Sequence, residues 1–175
     1  MKATLDIKAL QDALIYTKEA IARVLGVTTK RVRRTMVWAI GFWIWIEGKR
    51  PRLYKKSLFT NNFVNFRKAS AKNYSVAHIP NGGYTDIELY TVSHNTKYPD
   101  SGFISKYSVT QKTVKNTPIY ACGCEDYIRS AEAFKAPACK HIYAVLNYQG
   151  FDSLKAARDA AVMTAAAEAK AAIGL

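Results

Sequence analysis

Long apolar stretches are missing from this chain: the longest, Met36 to Ile46, runs eleven residues. That is about half of what a bilayer-spanning helix needs, so no membrane partner is expected. Cysteine is scarce as well. Three residues are an odd number for a disulfide framework, and their spacing suits metal ligation better. The first ten residues have one lysine before Ala3, but no continuous apolar run and no small-residue cleavage site. These absences point to a reducing interior, cytoplasm or nucleus, and not to a secreted protein. No P-loop, nucleophile elbow or catalytic histidine constellation occurs, so an enzyme is the least supported class.

Acid is also in short supply. The chain carries 26 lysines and arginines against 13 aspartates and glutamates, a formal charge of +13 over 175 residues. The imbalance is local: residues 1–60 hold 13 cations against 4 acids, 61–115 hold 7 against 3, and 116–175 balance at 6 against 6. A field concentrated in the first third suggests a polyanionic partner there, nucleic acid before an anionic membrane surface. The apolar fraction of 49% is ordinary for a globular protein with a buried core.

All three cysteines fall into two ligand pairs, Cys122-Gly123-Cys124 and Cys139-Lys140-His141, separated by fourteen residues. Three thiolates and an imidazole make a complete tetrahedral set for one zinc ion, with no position left open for water. Gly123 is expected to ease the bend between the first two sulfurs. Cys139 precedes an apolar helical run, Ile142, Tyr143, Val145 and Leu146, whose N-terminus favours thiolate charge. The pattern resembles the SWIM-type zinc finger, Cys-x-Cys followed by a variable gap and Cys-x-His. The resemblance extends to Cys124-Glu125-Asp126-Tyr127 and to Pro137-Ala138-Cys139-Lys140-His141-Ile142, and covers roughly residues 107–148. It departs in having Gly123 and Glu125 where proline is frequent. The resemblance implies a structural zinc and a module making DNA or protein contacts, as in chromatin remodellers, Mutator-type transposases and recombination accessory proteins. The intervening segment, with Lys140 just beyond it, mixes Arg129, Lys135 and Lys140 with Glu125, Asp126 and Glu132, which suits a protein-facing surface. His78 and His94 lie in polar sequence and are expected to face solvent from loops.

In the N-terminal part, Leu5, Ala9, Leu10, Ala13 and Leu14 recur at helical spacing, predicting a helix over Leu5–Tyr16. Thr17 offers an N-cap for a second, Lys18–Leu25. The segment Ile21 to Arg34 then looks like a helix-turn-helix, with Ala22 at the crossing, Gly26 in the turn, and Val27 and Val32 in the core. Thr28 would cap a recognition helix carrying Thr29, Lys30, Arg31, Arg33 and Arg34 near its exposed start, where base edges and phosphates are reached. That helix is expected to end near Gly41. Phe42–Ile46 and Arg52–Tyr54 would then pair as a hairpin with Lys49, Arg50 and Arg52 near its tip, the wing of a winged-helix domain. The other reading is one long core helix carrying Trp38, Trp43 and Trp45, followed by a basic loop. Under either, the tryptophans are expected in the core, and Lys55 and Lys56 extend the basic stretch. Residues 67–73, polar and small, read as a linker.

From Tyr74 the texture becomes β, with strands expected over Tyr84–Val92, Phe103–Thr110 and Thr113–Ala121 in an antiparallel meander. Asp152 or Ser153 should cap a final alanine-dense helix, Leu154–Ile173. The expected fold class is thus α+β: a helical N-terminal part (1–70, winged-helix in one reading), a β-rich zinc-stapled ββα-like module (74–150) and a C-terminal helix (151–175). The expected function is non-catalytic nucleic-acid binding, DNA favoured over RNA. The alternative is a subunit of a larger assembly that docks other proteins through its zinc module.

Overall fold

In the computed structural model, residues 7–80, 86–96 and 104–172 are described. The chain divides into two units, one of residues 1–66 with 132–134, the other of 67–131 with 135–175. Each is built around its own sheet.

The first unit begins with α1 (Ile7–Ile15) and α2 (Lys18–Leu25). Thr17 caps α2 by accepting from the Ala20 amide at 3.1 Å, the side-chain satisfaction of a free helical N–H that favours threonine there. Gly26 ends α2 at φ 63°, the left-handed cap for which glycine has no Cβ penalty. Here the expected recognition helix fails. Thr29–Arg31 make a single 3₁₀ turn, and Val32–Val37 form a strand, β1. Val32, Thr35 and Val37 are β-branched, and β1 finds a partner that satisfies its backbone. It pairs antiparallel with β2 (Phe42–Ile46), from Val32 opposite Ile46 to Val37 opposite Phe42, with an irregularity between Val32 and Arg34.

The expected hairpin of Phe42–Ile46 with Arg52–Tyr54 (β3) is present, with Phe42 opposite Tyr54 and Ile44 opposite Arg52. It extends a β1-β2-β3 meander. It follows a strand, not a recognition helix, so neither the winged-helix arrangement nor the long tryptophan-bearing helix is formed. Phe42, Ile44 and Ile46 are buried against Ile15, Ile21, Ala22 and Phe59, where Tyr16 stacks on Phe42 at 4.6 Å. Trp43 and Trp45 alternate with them and point to the opposite face, and Trp38 is 51% exposed. The tryptophans are therefore outside this core. Their placement follows from the period of two along a strand.

α3 (Lys56–Ala71) begins in the first unit and runs through most of the segment expected as a linker. In the second unit, β4 (Tyr74–Ile79), β5 (Ile87–His94), β6 (Lys106–Val114) and β7 (Thr117–Cys122) form an antiparallel sheet in sequence order. The three expected strands are there a few residues further on, joined by β4, which was not among them; residues 84, 85 and 103 lie outside the described residues. Lys115 and Asn116, at φ 48° and 58°, make the tight turn between β6 and β7, the backbone twist preferred by two-residue hairpins. His78 and His94 sit on strands β4 and β5, not in loops; His78 pairs with Glu88. α4 (Glu125–Ala133) occupies the expected connecting loop, α5 (Lys140–Tyr148) crosses all four strands, and α6 (Leu154–Ala172) contacts β7. Six consecutive residues of α5, His141 to Leu146, are buried. Ser153 caps α6 through the Ala156 amide.

Candidate metal centre and basic hairpin

Cys122 ends β7, held opposite Val109 of β6. Two residues on, Cys124 immediately precedes α4, and its sulfur accepts from the Tyr127 amide at 3.4 Å. Cys139 is the N-cap of α5, with extended backbone at φ −88° and ψ 173°. His141 lies in the first turn of that helix. Two helix N-termini thus face the site, each favouring negative charge on the sulfur beside it. Gly123 has no positive φ, and a Cβ there would meet nothing within 4 Å. The expected need for glycine at the bend is not present.

The four donors come together: one ligand atom from each of Cys122, Cys124, Cys139 and His141 lies within 4.8 Å of the others, and all four residues are buried. His141 Nδ1 is 3.7 Å from Cys122 Sγ and 3.9 Å from Cys139 Sγ. A tetrahedral ion with metal–sulfur bonds of about 2.3 Å has donor-to-donor edges of roughly 3.8 Å. The sulfurs are unbridged. Nδ1 is the nitrogen turned toward the sulfurs; Nε2 is buried with no hydrogen-bond partner among the described residues. A fully buried thiol–imidazole group fits a metal ion.

The three sulfurs lie close enough to hydrogen-bond to one another, which moves their proton affinities apart. Hydrogen bonds from Cys122 and Cys139 hold Cys124 well below the ordinary thiol range. Cys139 is pushed far above it by its hydrogen bonds with Cys122 and Cys124 and then by burial. Cys122 is raised to about 11, first by its hydrogen bond with Cys124. An incoming cation would replace those protons as the common partner of the sulfurs.

Comparison with protein-family models, with curated proteins and with solved structures finds no match. The centre therefore stands on its own geometry.

Around the imidazole are residues that spacing did not single out. Tyr107 stacks on His141, and Tyr74 meets it edge-on at 4.9 Å. The signal for Tyr107 was present in the alternation of Tyr107 and Val109 on the inner face of β6. Asp126, in the first turn of α4, accepts from Arg67 Nε at 3.0 Å and pairs with a second guanidinium nitrogen. Such a two-point pair fixes direction as well as charge.

The expected nucleic-acid residues fall on several elements of the first unit. Thr29, Lys30 and Arg31 are exposed in the 3₁₀ turn. Arg33 pairs with Glu47, and Arg31 donates to the Glu47 carbonyl at 3.0 Å. Both arginines therefore meet the β2–β3 turn, which Gly48 enables at φ 72°. Lys49, Arg50 and Arg52 line one cavity of about 320 Å³ with Ile44, Ile46 and Tyr54. Arg34 lies on the other face, its guanidinium 5.2 Å from the Trp45 ring centre. Lys55 and Lys56 stand at the junction of β3 and α3. The structure thus joins two stretches of sequence into one basic hairpin end, without a recognition helix.

Proposed function

We propose that the chain is a non-catalytic nucleic-acid-binding protein, DNA before RNA, whose second unit is stapled by one structural zinc ion. The observation that carries the first half is the meeting of Arg31 and Arg33 with the Lys49–Arg50 turn at one end of a three-stranded sheet. Residues 20–60 contain ten lysines and arginines and a single acid, Glu47. Cations grouped this way follow a phosphate backbone and release its counterions. Zinc is favoured over other ions because it takes thiolate and imidazole in closed four-coordinate sites. Four protein ligands leave the ion no open position, which supports a folding role over a chemical one.

Titration with duplex DNA across salt concentrations tests the nucleic-acid reading. Lys49→Ala and Arg50→Ala should each reduce the salt slope by about one, uniformly over sequences. Arg33→Ala should reduce it less, because Glu47 already neutralises that charge. A shallow slope indifferent to all of these substitutions would refute it.

A second reading has one specific support. α4 beside the ligands leaves Ile128 54% exposed, next to the Glu125–Arg129 ion pair. A mixed surface of that kind suits protein docking within a larger assembly.

A further inference from the structure

The outward face of the first sheet carries a feature that charge alone does not explain. Residues directly opposite in an antiparallel sheet share a face. Trp43 stands opposite Met36 on one side and Leu53 on the other, and Trp45 stands opposite Arg34. Helices α1, α2 and α3 supply Ile15, Ile21, Ala22 and Phe59 to the other face, the one bearing Phe42, Ile44 and Ile46. The outer side has two indole rings with centres 6.2 Å apart and planes at 40°. Arg34 lies over Trp45, Leu53 is 40% exposed, and Trp38 just past β1 is 51% exposed. The basic turn at Lys49–Arg50 follows directly on the end of β2 that carries Trp45.

Two half-buried aromatic rings on one sheet face, opposite Arg34, Met36 and Leu53 and no acid, match a single-stranded nucleic acid. Unpaired bases offer flat π surfaces to indole rings, and their phosphates need cations a few ångströms away. Duplex DNA hides its bases and can use only the cations. An acidic protein segment likewise engages the charges but has no use for the indoles. We propose that Trp43 and Trp45 stack unpaired bases of a single strand while Arg34, on the same face, holds its phosphates. The proposal rests on the nucleic-acid reading above and narrows its substrate to single-stranded polymer.

The chain provides its own reporter, since Trp38, Trp43 and Trp45 are its only tryptophans. Oligothymidylate or oligouridylate added to the full chain should quench indole emission and bind tighter than a duplex of the same charge. Replacing both residues, Trp43→Ala with Trp45→Ala, should weaken single-strand binding roughly tenfold or more. Duplex binding should stay within about twofold, because phosphate contacts are untouched. The paired Trp43→Phe, Trp45→Phe variant retains flat rings and should recover most of the affinity, which separates stacking from a loss of folding. Salt-steep binding equal for single strand and duplex, and unchanged by both pairs of substitutions, would overturn the stacking face while leaving the basic hairpin in place. Binding to no nucleic acid would overturn both. Displacement of the oligonucleotide by polyglutamate at matched charge would overturn the proposal in favour of an acidic protein partner.

Discussion

Tyr107 lies flat against the imidazole of His141, ring centres 3.9 Å apart and planes 20° from parallel. His141 is 1% exposed, with Nδ1 toward two sulfurs and Nε2 without a hydrogen-bond partner among the described residues. With Nε2 lacking a hydrogen-bond partner among the described residues, the ring is oriented by the contacts of Nδ1 with the sulfurs and by aromatic packing of Tyr107 and Tyr74. Tyr107→Ala should leave all four ligands in place but lower metal affinity about tenfold, the scale seen when groups that orient a ligand are removed. Competition against a chromophoric chelator measures this; an unchanged constant would mean that the backbone of α5 alone fixes the imidazole.

Metal uptake should release protons. Cys139 and Cys122 are held above the ordinary thiol range, whereas Cys124 is held below it. Thiols keep their protons at neutral pH until an ion displaces them, so protons should appear in weakly buffered solution as the ion binds. The sign follows directly: affinity falls as pH drops, because protons and the cation compete for the same sulfurs. Uptake without acidification would contradict ligation by the sulfurs.

A second pH limit lies at the alkaline end. The Tyr120 hydroxyl donates to Gln149 Oε1 at 2.8 Å, and Gln149 Nε2 donates to the Tyr90 oxygen at 2.7 Å. Burial, with Tyr90 nearby, raises Tyr120 from 10.0 to about 12. The folded state therefore holds the phenol proton more tightly than the unfolded chain does. That stability is complete below pH 10 and is lost as pH rises toward 12. Tyr120→Phe should cost about 1 kcal/mol at neutral pH, through the lost hydrogen bond. It should also flatten the decline above pH 10, read as unfolding midpoints against pH.

The two faces of β2 should respond differently to truncation. Phe42 is 1% exposed between Tyr16 and Phe59, so Phe42→Ala should cost about 3–5 kcal/mol through lost burial and the cavity left behind. Trp43→Ala, one residue on but facing outward, should cost less than about 2 kcal/mol. Denaturant midpoints of the two variants decide it, and equal losses would place Trp43 in a core.

Which parts of this molecule could be read from its residues depends on how local each determinant is. The cysteine–histidine cluster was legible because Cys-x-Cys and Cys-x-His put their chemistry within three residues of chain. Thr17, Gly26 and Ser153 announced helix ends by short-range hydrogen bonding or backbone freedom. The Phe42–Tyr54 hairpin announced itself by β-branched and aromatic residues around Gly48 and Pro51. Val32 to Val37 did not. Basic residues beside a Leu-Gly-Val turn continued a helical pattern, and only pairing with β2 across the sheet made the segment a strand. The same pairing turned Trp43 and Trp45 outward, reversing the expectation that tryptophan belongs in the core. α3 was hidden by mixed spacing: Phe59 is buried while Leu58 and Phe66 are largely exposed. The aromatic setting of His141 needed β4 and β6 in place, since Tyr74 and Tyr107 are far from it in sequence.

The metal clamp is the claim on which the second unit depends, because the end of β7 and the starts of α4 and α5 converge on it. Metal content of the purified, exhaustively dialysed full chain tests it most directly, read by elemental analysis beside the Cys139→Ser variant. About one zinc per chain is expected, lost in the variant together with the second unit's ordered structure, as when folding and metal binding are linked. A folded chain with a stoichiometry near zero, and a Cys139→Ser protein indistinguishable from it, would contradict the clamp.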